Sequence, residues 1–325
     1  MYYNRTLSES FSGLIESEGQ LRWLYELVKS RDDLDFLIGK SNSGEWISVY
    51  RGLSRIMAIR KMRKPNVIKI DGAQSYKKLT PLIYGNQELP FEFSRELMGL
   101  INKVTTLKKF DRYYKNKKEG FYQNELSRLF GICGTAKDDF VIVDKEAVVG
   151  YENTKEKDLL YGALREKYKK LQKLISKEDP KRYGKNLGKK SIGGELDFIA
   201  LDKAGNIQLI EYKHGNNTSG IYLSPLQIGL YFDIFSSLDR KELIAAVYQM
   251  IEQKKRIGLI HPEWPIPEIT GKIIPVLIMS DYNPRSSAKT KYDEILSYVR
   301  GKQQEPFLEN IKTLTYTTKD GLKDW

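Results

Sequence analysis

Residues 194–213 constrain the chain more than any other stretch. Leu196–Leu201 and Ile207–Tyr212 are two short apolar runs separated by Asp202-Lys203-Ala204-Gly205-Asn206. Three-residue hairpin loops favour a type I turn closed by a glycine in the left-handed region, and Lys203-Ala204-Gly205 meets that need. A hairpin centred on Ala204 sets Asp202 opposite Asn206, Ile199 opposite Leu209, and Asp197 opposite Glu211. Cross-strand partners on one face lie about 4.5–5.5 Å apart. Side-chain alternation adds Lys213 to that face. The turn chemistry therefore gathers two carboxylates and one ammonium on one side of a sheet.

Ile199, Leu201, Ile207 and Leu209 share the charged face, while Phe198, Ala200, Ile210 and Tyr212 occupy the other. Both faces are expected to be buried, with the charges at the hairpin's open end. Two like charges placed side by side out of water need a cation between them. Mg²⁺ is one such cation, because it takes one or two protein carboxylates together with waters and phosphate oxygens. Lys213 is the other, as the partner in an ordinary ion-paired strand end. Geometry alone leaves both open.

Around this hairpin the pattern alternates. Helix is expected at Ser17–Lys29, Phe93–Val104 and Tyr122–Phe130, with strands at Trp46–Tyr50, Ile56–Ile59, Val67–Ile70 and Phe140–Val143. Further on, helix is expected at Glu156–Ile175, Leu226–Phe235, Glu242–Lys254 and Ser286–Val299, and a buried strand at Lys272–Met279. Residues 176–194 read as a basic loop. Helices interspersed with strands argue for an α/β layer structure with a central mixed sheet flanked by helices. We assign it to residues 146–325, and an α+β domain to residues 1–145.

Charge narrows the partner. Residues 1–50 carry 5 basic and 8 acidic groups, residues 51–200 carry 33 and 19, and residues 201–325 carry 16 and 15. The excess of +14 thus sits in the middle, and residues 167–190 alone hold ten Lys/Arg. Such a block suits a polyanion, of which nucleic acid is the commonest; a solvated face kept basic for solubility is the alternative. Lys169, Lys173 and Lys177 lie on one helix face at spacing four and are candidate phosphate contacts. Cys133 is the single cysteine, read as a small core residue, and His214 and His261 are the only histidines. Internal disulfides are excluded, and a Cys/His zinc site lacks ligands. No apolar run approaches the ~20 residues of a membrane span, and no basic-then-apolar leader opens the chain, so a cytoplasmic protein is expected.

Asp197, a gap of thirteen residues, and then Glu211-Tyr212-Lys213 resembles the motif of the PD-(D/E)xK nuclease superfamily. Gln227 and Tyr231, in Ser224-Pro225-Leu226-Gln227-Ile228-Gly229-Leu230-Tyr231, resemble the Gln-x-x-x-Tyr motif of its RecB-like members. The likeness covers about residues 152–235, and Gly194-Glu195-Leu196 stands where the motif's nominal proline would be. It implies a restriction-endonuclease-like core. It also implies Asp197, Glu211 and the Tyr212 carbonyl as ligands of Mg²⁺, for which Mn²⁺ can substitute. Lys213 would orient the attacking water and stabilise charge on the phosphate. Members usually add a glutamate from the preceding helix; Glu156 is the first candidate here, with Glu166 and Glu152 after it. Glu156 also reads as an ordinary first-turn acid matched to the helix dipole.

Gln227 carries two readings, a site residue beside Tyr231 or the third residue of a capping box begun by Ser224 and Pro225. Tyr231 is a candidate nucleic-acid contact. His214 reads as a strand-end residue. The expected function is Mg²⁺-dependent hydrolysis of DNA, endonucleolytic rather than exonucleolytic, acting as a homodimer or within a larger DNA-processing complex. The rivals are a non-catalytic nucleic-acid-binding protein that keeps the fold, and a basic scaffold with no nucleic-acid partner.

Overall fold

The β-branched and aromatic runs between residues 35 and 88 pair into a five-stranded antiparallel meander in the computed structural model, which describes residues 1–112, 114–183, 191–303 and 311–325. Its strands are β1 (Asp35–Ser41), β2 (Gly44–Arg51), β3 (Ser54–Lys61), β4 (Val67–Gly72) and β5 (Asn86–Glu88). Helices α1 (Glu9–Ser12), α2 (Arg22–Lys29), α3 (Ser94–Thr105), α4 (Lys108–Asp111) and α5 (Glu119–Leu129) accompany it. Leu24, Val28, Ile47, Val49, Ile59, Leu97 and Ile101 meet in one buried cluster. The three expected strands correspond to β2, β3 and β4. β1 was not read, and α2 starts five residues later than expected. Cys133 is exposed rather than in the core, and its sulfur accepts from Arg128 at 3.3 Å.

The chain divides into two compact units that exchange segments. The amino-terminal unit comprises Asn4–Val143 and also Ala246–Ile266; the carboxy-terminal unit comprises Met1–Tyr3, Asp144–Ala245 and Pro267–Trp325. Within the first, the returning segment completes the core. Ile257 and Leu259 join the cluster, Tyr25 donates to the Gly258 carbonyl at 2.9 Å, and buried Trp264 donates to the Asp138 carbonyl at 3.0 Å.

The carboxy-terminal unit is built on a six-stranded mixed sheet. It contains β6 (Phe140–Ala147, whose first four residues belong to the other unit), β7 (Leu196–Asp202), β8 (Ile207–His214), β9 (Ile273–Ser280), β10 (Lys312–Thr317) and β11 (Gly321–Asp324), in the order β11-β10-β9-β8-β7-β6. The β8/β9 and β9/β10 pairs are parallel, and β7/β8 and β10/β11 are antiparallel. Every residue of β8 is buried, as expected for a strand with apolar residues on both faces. Its helices are α6 (Thr154–Lys157), α7 (Ala163–Glu178), α8 (Pro180–Tyr183), α9 (Thr218–Ser236), α10 (Arg240–Ile257, which continues into the other unit) and α11 (Ala288–Gln303). α9 packs on β8 and β9, and carries α7 and α11 against it.

Two helices differ from their sequence reading in ways that matter for the site. The expected helix 156–175 is interrupted by a π-helical turn, Asp158–Gly162, before α7 begins. One residue more per turn shifts the helical phase, so Leu159 is 72% exposed although a regular 3.6-residue period counts it with the buried stripe. The second, α9, begins at Thr218 rather than near Ser224, and Asn217 Oδ1 caps it by accepting from Gly220 N–H at 3.0 Å. Pro225 lies inside it. Proline has no N–H to give the carbonyl four residues back, and the Ser224 hydroxyl donates to that Ile221 carbonyl instead, at 2.6 Å. The helix therefore runs through the proline, and the capping box at Ser224 does not form. Of the expected basic block 167–190, residues 184–190 lie outside the described residues.

Candidate functional site

The hairpin register is the one the turn chemistry demands. Gly205 adopts φ +78°, and a Cβ there would fall 1.9 Å from the Glu268 carbonyl oxygen, so both backbone and space require glycine. Asp202 N–H donates to the Asn206 carbonyl at 3.1 Å, and Leu201, Ala200, Ile199 and Phe198 pair with Ile207, Gln208, Leu209 and Ile210. The ladder ends at Phe198–Ile210, one residue short of Asp197 and Glu211.

Phe198 and Ile210 form the last rung of the ladder. Beyond it, the Tyr212 N–H donates to Asp197 Oδ2 at 2.8 Å, in place of a β7 carbonyl. A strand residue sends its N–H and C=O toward the same edge, so the Tyr212 carbonyl also faces the Asp197 side. On the shared face Lys213 Nζ donates to Glu211 Oε1. Glu211 is 2% exposed and Lys213 8% exposed, so this is a buried ion pair, while Asp197 is half-buried. Lys213 and Glu211 are thus paired, and Asp197 is held to the intervening residue of the same strand through Tyr212 N–H.

α9 closes one side of the group. Tyr231, 4% exposed, donates its hydroxyl to the Glu195 carbonyl at 2.9 Å. Burial raises its pKa, and the Glu211 and Asp197 carboxylates raise it further. Tyr231 is therefore a neutral donor that ties down the start of β7 and faces both acids. Gln227 lies one turn earlier on α9 and is half-buried. With the cap supplied by Asn217, the capping-box account of Gln227 falls away, and its place beside Tyr231 is what remains.

Glu156 is committed elsewhere. Its carboxylate receives the Met1 ammonium and, at 2.7 Å, the Glu152 N–H, while its own N–H is capped by Asn153. The Met1 ammonium first, and then the Glu152 N–H, hold its pKa below the usual carboxylate value. Of the other two candidates, Glu166 pairs with Lys169 at 3.2 Å, and Glu152 is exposed. Lys173 and Lys177 are exposed on α7. His214 ends β8, where Nδ1 accepts from Asn216 N–H at 3.2 Å and Nε2 lies 3.8 Å from Asp281.

Among the described residues no group of three or more His, Cys, Asp or Glu side chains could hold a metal ion. A cation at the hairpin end would instead find Asp197, Glu211 and a main-chain oxygen. That all-oxygen, two-carboxylate set suits Mg²⁺, which retains waters and accepts phosphate oxygens.

Two neighbours were missed in the sequence. Glu195 has the same strand parity as Asp197, a signal that could have found it, and its charge also acts on Tyr231. Tyr161 sits in the π-helical turn and lines a cleft with Tyr231; no periodicity announces such a turn. No protein-family model matches the chain, and neither a curated protein nor a solved structure gives a significant match.

Proposed function

We propose that the chain is a Mg²⁺-dependent deoxyribonuclease with a restriction-endonuclease-like core, hydrolysing phosphodiester bonds at the end of the β7–β8 hairpin. The observation that carries this reading is the β7–β8 register, which runs to Phe198–Ile210, one residue short of Asp197 and Glu211, with the buried Glu211–Lys213 pair and the Asp197 bond to Tyr212 N–H beyond it. The mixed sheet, and the helix that presents Gln227 and Tyr231 beside it, support it. Asp197, Glu211 and the Tyr212 carbonyl would hold the metal, which when bound supplies a lowered water pKa and offsets phosphate charge. The remaining work falls to the protein's own groups. Lys213, oriented by Glu211, brings a fixed positive charge to the side where a phosphate would sit, and such a charge acts strongly in a partly dry site. Tyr231 fixes the entry of β7, and so the position of Asp197. The exposed lysines of α7, together with the basic stretch 51–118, suit a polyanionic substrate.

The test is digestion of linear, circular and single-stranded DNA and of RNA, with and without Mg²⁺. Cleavage of DNA is expected, lost in Asp197→Asn and reduced by about 10²–10³-fold in Lys213→Ala. The double variant Glu211→Gln/Lys213→Met, which keeps the packing, should be inactive and folded. Metal-independent cleavage, or cleavage unchanged in these variants, refutes the assignment. DNA binding without any cleavage would leave a non-catalytic binder that keeps the fold.

A further inference from the structure

Tyr231 and Glu195 also line a cleft of about 420 Å³. Tyr151, Tyr161 and Phe235 line it beside Tyr231, together with Lys157. Tyr151, Tyr161 and Tyr231 thus share one cleft. The π-helical turn Asp158–Gly162 is what brings Tyr161 here, and turns of that kind recur at functional sites. Gly194, which also lines the cleft, has φ +147°, and the preceding Gly193 has φ +80°. A Cβ on Gly193 would lie 2.6 Å from Leu230 and 3.1 Å from the Tyr161 hydroxyl, so only glycine lets the chain pass this close to Tyr161.

We propose that this cleft takes one unpaired nucleobase of the strand whose phosphate lies at Asp197, Glu211 and Lys213. The inference rests on the nuclease reading and adds the substrate class: single-stranded DNA, a frayed end, or a duplex with one base turned out. The volume lies within the range of small-molecule sites and excludes a duplex. Every base has a π face, so a tyrosine-walled cleft accepts bases with little sequence preference. Burial first, then Tyr161 and Glu156, push the Tyr151 phenol up to about 12, so this wall is uncharged at neutral pH. Lys157 supplies a cation for a flanking phosphate. The wall shared with the acid pair, Tyr231, places the base next to the phosphate that would be cut.

Binding of a short single-stranded oligonucleotide carrying 2-aminopurine, measured in EDTA, tests the cleft independently of cleavage. Quenching of the probe is expected in the wild-type protein. Tyr161→Ala, and Val148→Trp at an exposed lining position, should each weaken single-strand binding by about tenfold or more. Tyr161→Phe should stay within about twofold, and binding of the blunt duplex should not change in any variant. Equal single-strand affinity in Tyr161→Ala and Val148→Trp overturns the proposal, as does parallel loss of duplex and single-strand binding. Loss of single-strand binding in these variants, from a protein that cleaves nothing with Mg²⁺, would retain the base site and discard the nuclease reading.

Discussion

The Asp197 carboxylate is fastened to the neighbouring strand through main chain: Tyr212 N–H donates to its Oδ2 at 2.8 Å, one step beyond the last rung of the hairpin. The bond makes position 197 structural as well as chemical. Asp197→Ala leaves a part-buried N–H unmatched and should cost about 1–3 kcal/mol. Asp197→Asn keeps an oxygen acceptor and should stay within about 1 kcal/mol of wild type. Both should lose Mg²⁺-dependent cleavage. Chemical unfolding beside a cleavage assay checks the pair, and equal stability losses would mean the bond does not act as described.

The Glu211–Lys213 pair should show the asymmetry of buried charges. Lys213→Ala removes the ammonium from a carboxylate that is 2% exposed and should cost about 3–5 kcal/mol. Replacing both partners with uncharged residues of similar volume, Glu211→Gln/Lys213→Met, should be close to neutral. Denaturant midpoints of the two proteins, at matched m-values, decide it.

Gln227 and Asn217 should separate into function and fold. Asn217→Ala removes the cap of α9 and should cost about 1 kcal/mol. Gln227→Ala should leave the melting temperature unchanged and lower cleavage by about tenfold or more, because a substrate or site group is misplaced. A stability loss at Gln227 with normal cleavage would return that residue to a structural role.

The α7 lysines should read out as salt dependence. Replacing Lys169, Lys173 and Lys177 with Gln should flatten the log–log salt slope of DNA binding by about 2.7 units, if each neutralises one phosphate. Any sequence preference should be unchanged. A slope that stays put in a folded protein would shift the substrate path to the basic residues between 51 and 118.

Tyr151 should mark the alkaline limb of stability. Its folded pKa, about 12, lies above the unfolded value of about 10. The folded state then holds the proton that the unfolded state releases, so this contribution is complete below about pH 10 and is lost as the pH rises toward about 12. Tyr151→Phe, which cannot ionise, should lose less stability than wild type between about pH 9 and about pH 11.5. Identical declines would place the phenol in an ordinary solvated setting.

The hairpin was legible because a turn, a glycine and two-residue alternation are local rules, and Asp197, Glu211 and Lys213 follow from them. Where α9 begins was not legible, for the usual signal pointed the wrong way. Ser224-Pro225 is a strong helix-start pair, yet here the serine hydroxyl repairs the carbonyl that the proline abandons. Tyr161 was hidden by the π-helical turn, which leaves the apolar spacing superficially intact. β10 was missed because Lys312-Thr313-Leu314-Thr315-Tyr316-Thr317 is mostly polar, and it becomes a strand by pairing with β9 and β11. The glutamate expected from the preceding helix fared differently: Glu156 answers to Met1, a partner 155 residues away that no spacing rule reveals.

The exchange of segments between the two units has a consequence for synthesis. A ribosome delivers residues 4–143 long before Ala246–Ile266, yet Ile257, Leu259 and Trp264 are needed to seal the first core. The nascent amino-terminal half must therefore wait with apolar surface uncovered while the β7–β8 hairpin is translated. Cutting the gene at codon 143 should produce two insoluble fragments rather than two domains, and co-expressing them should recover what neither achieves alone. Vectorial birth thus couples the maturation of the two halves, so that neither outlives a truncated message in finished form.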